Sequence, residues 1–297
     1  MKRKHNAFRP SLFTLSWMLG PTLFFLAVFI LWPIFETFRL SLFDWNGLTP
    51  TQEFIGFGNY KELISDLIFW RSVKNSFILL GMALIIEIPL GFFLALMLYT
   101  GGKRFKIFRF LYFFPMLLSP VAVGILFKFI FDYNSGALNQ IIGILNQENL
   151  MQDWLGNKEI AIYTIGILVT WQYTPFYMLL FLAALNNIPT EIEEAAKIDG
   201  ARGWKMIRHI QIPLVRGAGV IAVILISIGS LRYFDLVWVL TAGGPESSTE
   251  VMATYLFQMA FKSYRVGYAS TIATALFIIA FFTAIFVQFS TRKIRQE

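Results

Sequence analysis

Side chains that carry catalysis or metal binding are scarce in this sequence of 297 residues. It contains no cysteine and only two histidines, His5 and His209, which lie far apart. Thiolate chemistry, disulfide bonds and cysteine- or histidine-pair metal sites therefore have no residues to form them. The stretch GGKRF at residues 101–105 lacks the spacing and the hydroxyl residue of a phosphate-binding loop. We expect no catalytic, metal-binding or cofactor-binding residue in this chain, and no enzyme.

An ionisable residue inside a long apolar run points to different chemistry. Glu87 interrupts such a run near its middle. A charged side chain at the centre of a membrane helix costs roughly 2.5–3.5 kcal/mol on insertion scales, so Glu87 requires water or a polar partner. Two interpretations stay open: Glu87 lines a transport pathway, or it is a protonated or ion-paired residue that packs helices together.

A second polar group lies near the end of another apolar run. Arg232 and Asp235 are three residues apart, so they can pair with each other or face a water-filled cavity. Aromatic rings stack on sugar rings, although aromatic residues are also routine at membrane interfaces. Pro175 frees a backbone carbonyl within the aromatic stretch 171–177, and discontinuous helices often line substrate sites. The candidate pathway residues are Glu87, Trp171, Gln172, Tyr173, Tyr177, Tyr233, Asp235 and Trp238.

The composition predicts that membrane-spanning helices position these residues. Hydrophobic residues make up 57% of the sequence and charged residues 14%, whereas soluble domains carry about 25% charged residues. A helix that crosses the hydrocarbon needs about 20 largely apolar residues. We predict an all-α integral membrane protein with six transmembrane helices. The predicted spans are residues 11–35, 75–99, 110–131, 160–187, 217–240 and 266–290.

The lysine and arginine residues predict how these spans are oriented. Of the 25 such residues, four lie in the tail 1–10, four near residues 103–109, five in the segment 188–216 and three in the tail 291–297. Cytoplasmic loops of membrane proteins carry an excess of lysine and arginine. We therefore predict that both tails and the segment 188–216 are cytoplasmic. The net charge of +7 has the same explanation, and no nucleic-acid partner is expected.

The segment 188–216 contains a predicted short helix over residues 191–199. Thr190 followed by Glu193 fits a capping box, and Gly200 is a natural residue to end the helix. A second helix is predicted over residues 201–209, before Pro213 opens the fifth span. The face that helical spacing brings together contains Ile192, Ala195, Ala196 and Asp199.

Two adjacent alanines make this face shallow, so another surface can approach it closely. Two interpretations of the segment stay open on the pattern alone. Basic amphipathic helices commonly lie on the membrane surface, and short helices also dock into the groove of a partner protein.

The same residues resemble the cytoplasmic EAA motif of permease subunits in binding-protein-dependent ABC importers. That motif reads Glu-Ala-Ala, three residues, Gly, nine residues, then Ile-x-Leu-Pro, and here Ile212 stands in place of the usual Leu. The matching residues are Glu194, Ala195, Ala196, Gly200, Ile210 and Pro213. SLFDWNGL at 41–48 and FDLVWVLTAGGP at 234–245 are similar to carbohydrate permeases of the maltose and glycerol-phosphate type. The resemblance covers residues 11–290.

This resemblance implies a multi-pass protein of the cytoplasmic (inner) membrane of a prokaryote that transports a sugar, with a di- or oligosaccharide favoured. The short helix becomes a coupling helix between spans four and five, seated on an ATP-binding subunit. The implied coupling residues are Glu193, Glu194, Ala195, Ala196, Asp199, Gly200, Ile210 and Pro213.

The partners implied by the resemblance are two cytoplasmic ATP-binding subunits, which hold ATP and Mg, a second homologous permease subunit and an extracytoplasmic sugar-binding protein. The lipid bilayer surrounds the spans. The alternative is an ion-coupled secondary transporter in which Glu87 or Asp235 is the proton site. An intramembrane enzyme has no supporting residues.

Overall fold

The computed structural model describes residues 12–101 and 105–296. The predicted tail 1–10 and the basic residues Lys103 and Arg104 lie outside the described residues. Within the described ranges, five helices are long and apolar enough to cross a membrane, or up to six if one bent pair counts as a single span. The structure is mainly helical, which agrees with the predicted all-α membrane fold.

The helices and strands follow one another along the chain, with three short π-helical segments continuing helices. The first part contains α1 (Leu12–Leu26), a π-helical segment (Ala27–Leu31), α2 (Trp32–Leu40), β1 (Phe43–Asp44), β2 (Glu53–Phe54), α3 (Gly58–Ser65), α4 (Leu67–Gly101), α5 (Lys106–Leu117), α6 (Pro120–Ile130), α7 (Ala137–Ile144) and a 3₁₀ turn (Glu148–Leu150). The second part contains α8 (Ala161–Asn186), α9 (Thr190–Ile198), α10 (Trp204–Met206), a π-helical segment (Ile207–Gln211), α11 (Ile212–Ser230), α12 (Asp235–Thr241), α13 (Met252–Phe257), a π-helical segment (Gln258–Lys262) and α14 (Val266–Gln296).

The chain forms two compact units. The smaller unit contains the residues up to Ile64 together with Met259–Thr274. Its two-stranded antiparallel sheet pairs β1 with β2, and the buried Asn59 amide donates to the carbonyl oxygens of Ser41, at 3.0 Å, and Phe43, at 2.9 Å. One asparagine side chain therefore holds the strand next to α3.

The larger unit contains Ser65–Gln258 and the residues from Ala275. Its centre is the long contact between α4 and α8. Ala83, Gly91 and Ala95 are separated by multiples of four residues and lie on one buried face of α4. A Cβ atom on Gly91 would lie 3.1 Å from the backbone nitrogen of Met178. Small residues on one helix face let two membrane helices approach closely, and that accounts for the packing of α4 on α8.

Three of the predicted spans differ in length from the observed helices. The helix predicted from residue 75 starts at Leu67, because the Asp66 carboxylate accepts hydrogen bonds from the first backbone amides, 2.8 Å from that of Ile68. The first span continues to Leu40. Its last turn contains Glu36 and Arg39, and the Arg39 Nε donates a hydrogen bond to the Glu36 carboxylate at 2.9 Å. The last helix continues beyond residue 290 to Gln296.

The predicted third span, 110–131, is broken into α5 and α6, which bend by 95° at the break. Leu118 and Ser119 have extended backbones there, with ψ angles of 142° and 133°. Ser119 precedes Pro120, and the residue before a proline is pushed out of the helical region. The break therefore follows from local sequence that the apolar pattern concealed.

The prediction of one helix over residues 217–240 is wrong, because the observed helix begins earlier and ends earlier. The observed helix is continuous from Trp204 to Ser230, so the separate helix predicted over 201–209 does not exist and Pro213 lies inside the helix, directly after the π-helical segment Ile207–Gln211. Prolines are tolerated inside membrane helices where local π-helical adjustment compensates for the missing backbone amide. At the other end the helix stops before Arg232.

The predicted capping box of α9 does not form either. Pro189, with ψ 133°, is the N-cap residue of α9, and it has no side-chain hydrogen bond to give. Thr190 is already the first helical residue, and the Glu193 carboxylate accepts a hydrogen bond from Gln211 instead. The helix itself, Thr190–Ile198, agrees closely with the predicted 191–199.

Candidate functional site

The gap between α11 and α12 opens a cavity in the larger unit. The residues from Leu231 to Phe234 are not helical, and α12 begins at Asp235. The cavity has a volume of about 300 Å³. It is lined by Tyr173, Tyr177, Gly229, Arg232, Tyr233, Phe234, Asp235 and Leu236. Four of the eight predicted pathway residues, from two distant parts of the sequence, therefore share one site.

Aromatic rings form much of its wall. Tyr173 of α8 stacks on Tyr233, with ring centroids 5.8 Å apart and planes inclined by 28°. Phe234 stacks on Trp238 at 5.6 Å and 12°. Paired rings at these distances are stabilising by about 0.5–1.5 kcal/mol beyond the area they bury. The non-helical segment is thus held against α8 and α12 by its own aromatic side chains.

The two charged residues of the cavity are both exposed to it. Arg232 and Asp235 form no ion pair with each other within the part of the chain that the structure describes. Because α11 ends before Arg232 and α12 begins at Asp235, the i,i+3 geometry expected of one continuous helix is absent. A guanidinium group and a carboxylate remain available to hydrogen-bond a polar ligand, beside aromatic rings.

Glu87 lies on the face of α4 that packs on α8, and its side chain is 0% exposed. Neither carboxyl oxygen has a hydrogen-bond partner among the described residues. Its carboxyl group lies near Tyr173, Tyr177 and Tyr233. Glu87 therefore lies behind the cavity wall and does not line the cavity itself.

Three further candidate residues lie outside the cavity. The Gln172 amide donates to the carbonyl oxygen of Leu118 at 3.2 Å. Leu118 is the C-cap residue of α5. Trp171 packs against Phe127 at 5.2 Å and lines a separate apolar groove. Trp238 contacts Phe257 at 4.7 Å. Gln172 thus bonds an otherwise unpaired carbonyl at the helix break, a role that periodicity does not reveal.

The second candidate site is the surface of α9. Glu194, Ala195, Asp199 and Gly200 are exposed, whereas Ala196 is buried against the protein. The predicted shallow face is therefore divided, and only Ala195 of the alanine pair is open to another molecule. Ile198 is 86% exposed on the same helix.

The end of α9 has the geometry that the glycine predicted. Gly200 has φ +82°, its amide donates to the carbonyl of Lys197 at 3.1 Å, and the Ala201 amide donates to that of Ala196 at 2.8 Å. This pair of bonds is the Schellman motif, with glycine in the left-handed conformation. Of the other motif residues, Ile210 and Pro213 lie in the long helix that begins at Trp204, away from α9.

Comparison with known families decides what kind of protein carries these sites. Residues 87–296 match the model of the binding-protein-dependent transport system inner membrane component. The chain belongs to this family. The EAA resemblance and the membrane fold are thus confirmed together, and this inner membrane component is the permease subunit of an ABC importer.

Permease proteins of several organisms are similar over most of their length. A probable ABC transporter permease of Pyrococcus horikoshii is 35% identical, over 88% of this chain and 89% of its own. The multiple sugar-binding transport system permease protein of Streptococcus mutans is 34% identical, over 85% and 86%. The lactose transport system permease protein of Rhizobium radiobacter is 32% identical, over 95% of each chain.

The fold is that of a solved transporter. A chain from the crystal structure of a bacterial alginate ABC transporter, in complex with an alginate pentasaccharide-bound periplasmic protein, superposes with a TM-score of 0.83. It is 21% identical, and 95% of each chain is covered. At this identity the likeness concerns the fold of the permease.

Sequence reasoning missed several residues of the two sites. Phe234, Gly229 and Leu236 line the cavity, and Gln211 contacts α9. Arg232 and Asp235 within an apolar run were the signal for a helix break, since polar residues often accompany irregular backbone that lines a cavity. No sequence pattern signalled Gln211.

Proposed function

We propose that this permease carries a di- or oligosaccharide through the inner membrane, driven by ATP that partner subunits hydrolyse. The observation that carries the proposal is the exposed surface of α9. This short charged helix exposes Ile198 and Ala195, so it offers the shallow surface on which a partner protein can receive a docked helix. α9 is then the coupling helix, as the resemblance implies.

The cavity between α8 and α12 supports a sugar as the solute. Sugars offer hydroxyl groups to charged side chains and flat apolar faces to aromatic rings, and Asp235, Arg232 and the stacked tyrosines supply both. The names of similar permeases point the same way, because they mention multiple sugars, lactose and diacetylchitobiose. We assign Tyr173, Tyr177, Tyr233 and Asp235 to the sugar pathway.

The partners in this proposal are two cytoplasmic ATP-binding subunits with ATP and Mg, a second homologous permease and an extracytoplasmic sugar-binding protein. Both termini and α9 lie in the cytoplasm. ATP-driven closure of the cytoplasmic subunits moves α9 through Glu194, Ala195, Asp199 and Gly200. The movement opens the cavity outward and then inward, and no bond in the sugar is made or broken.

Uptake into proteoliposomes tests the energy source. The vesicles contain this permease, its partner subunits and enclosed ATP, with the binding protein and labelled sugar outside. We expect uptake to require ATP and to persist when a protonophore collapses the proton gradient. Uptake that stops with the protonophore at constant ATP would establish ion coupling at Glu87 or Asp235 instead.

Variants of α9 test the site of coupling. Glu194→Lys reverses the charge of an exposed side chain, so we expect ATP hydrolysis to continue while uptake falls, with an unchanged amount of permease in the membrane. Glu191→Lys is the matched control, because it makes the same change in the first turn of α9 outside the motif. Equal uptake by both variants would show that α9 does not dock a partner through the motif.

A further inference from the structure

One residue of the proposed coupling surface faces its own protein. Glu193 is half-buried, and its carboxylate accepts a hydrogen bond from the Gln211 side-chain amide at 3.0 Å. A single side chain of α9 is therefore tied to the beginning of the long helix that continues into α11.

The residue that holds Glu193 is itself built into the bundle. Gln211 is 4% exposed and ends the π-helical segment Ile207–Gln211. Such a segment adds one residue to a helical turn and is frequent at functional sites. The linker between α8 and α9 is also anchored, because its buried Ile188 belongs to the main hydrophobic cluster. Glu193 thus bonds to a positioned group, not to a mobile surface side chain.

These contacts separate two roles on α9. Glu194, next in sequence, is exposed and free to meet a partner, whereas Glu193 is occupied inside the chain. Hydrogen bonds to a charged group are about twice as strong as neutral ones. A helix of nine residues has little intrinsic stability in water, so its placement depends on such contacts.

We propose that Glu193 and Gln211 form a clasp that fixes α9 to the beginning of the long helix that continues into α11. Glu193 is then a positioning residue: it transmits the displacement of α9 to that helix and does not contact the ATP-binding subunit. This inference rests on the proposed coupling function of α9.

Distance measurements test the clasp without reference to transport. Because the chain has no cysteine, spin labels can be attached at Lys197→Cys on α9 and Ile221→Cys on α11 in the assembled transporter, with cysteine-free partners. We expect a narrow distance distribution that broadens in Glu193→Ala and Gln211→Leu. Glu193→Gln should keep most of the order, because its amide oxygen still accepts a hydrogen bond, and Glu191→Gln is the exposed control. Unchanged distances in Glu193→Ala would overturn the clasp.

Transport by the same variants tests the positioning role. Loss of a hydrogen bond to a charged group shifts a docking equilibrium by about tenfold or more, so we expect Glu193→Ala to transport roughly tenfold less sugar per ATP hydrolysed. Broadened distances with an unaltered sugar-to-ATP ratio would reduce the clasp to a structural contact and refute positioning. If the unmodified transporter requires no ATP for uptake, the proposed function fails, and the distance measurement still decides whether the clasp exists.

Discussion

Substitution of Gly200 separates backbone strain from partner contact. Gly200 has φ +82°, and a Cβ atom there would meet no atom of this chain within 4 Å. Alanine and leucine therefore face the same penalty inside the chain, the left-handed conformation, which costs about 1–2 kcal/mol for a residue with a Cβ atom. Asparagine tolerates this conformation better than either.

The strain predicts the thermal stability of the variants. For chains somewhat smaller than this one, 1 kcal/mol lowers the unfolding midpoint by about 2–4 °C. We expect Gly200→Ala and Gly200→Leu to lose about 2–8 °C alike, and Gly200→Asn to lose less. Tryptophan fluorescence during heating of the purified permease measures the midpoint, since the chain contains eight tryptophans.

Uptake by the reconstituted transporter then reports on the partner. If α9 lies in a groove of another subunit, the leucine side chain overpacks that contact, at about 1–3 kcal/mol. Sugar uptake per ATP should fall about tenfold more in Gly200→Leu than in Gly200→Ala. Gly203 is the control: it also has a positive φ, +55°, and open space around it, but it is one of the nine unspecified residues of the motif and not its defined glycine. Equal uptake in the alanine and leucine variants would refute docking beside Gly200.

Three further substitutions test the packing and the cavity. Asn75→Leu removes an amide that donates to the carbonyls of Ser248 at 2.7 Å and Glu250 at 2.8 Å; each buried unpaired carbonyl costs about 1–3 kcal/mol, so the unfolding midpoint should fall by at least about 4 °C, and an unchanged midpoint would contradict these bonds. Asp235→Asn removes an exposed charge without an ion pair, so we expect a KM for sugar raised about tenfold while the midpoint changes by no more than about 2 °C; an unaltered KM would place the sugar elsewhere. Gly91→Leu forces a side chain against backbone that a Cβ atom would already approach to 3.1 Å, and size-exclusion chromatography should show loss of the folded permease, whereas a normal elution profile would refute the close packing of α4 on α8.

The sequence predicts this fold well wherever composition alone determines it. The fourth span, 160–187, has no charged residue and agrees within one residue with α8, Ala161–Asn186. The third and fifth spans are harder to predict, because an apolar run does not distinguish one helix from two helices that meet at a bend. The break at Ser119 depends on the proline that follows it, and the break after Ser230 on the burial of aromatic rings that are distant in sequence. Neither determinant is visible in average hydropathy.

The candidate sites follow the same division. The motif identified the helix that ends at Gly200, because glycine at a left-handed position is a local requirement. The direction of each α9 side chain is not local: Glu193 points inward, where the Gln211 amide donates a hydrogen bond to it. Helical spacing placed Ala195 and Ala196 together, whereas burial separates them. Adjacent residues of one motif can therefore serve different purposes, and only the tertiary contacts tell them apart.

The continuous helix from Trp204 to Ser230 gives these separate observations a common mechanical basis. Its first turns carry Gln211, which holds α9, and near its other end Gly229 lines the cavity. Twenty-seven helical residues span about 40 Å at 1.5 Å per residue. Membrane helices bend mainly at prolines, paired small residues and π-helical turns, and in this helix both Pro213 and the π-helical segment lie near Gln211. The turns from Val220 to Ser230 contain no proline and no π-helical segment, so they can carry a displacement to the cavity wall, and Gly217 and Gly219 are the remaining points of bending between them and Gln211.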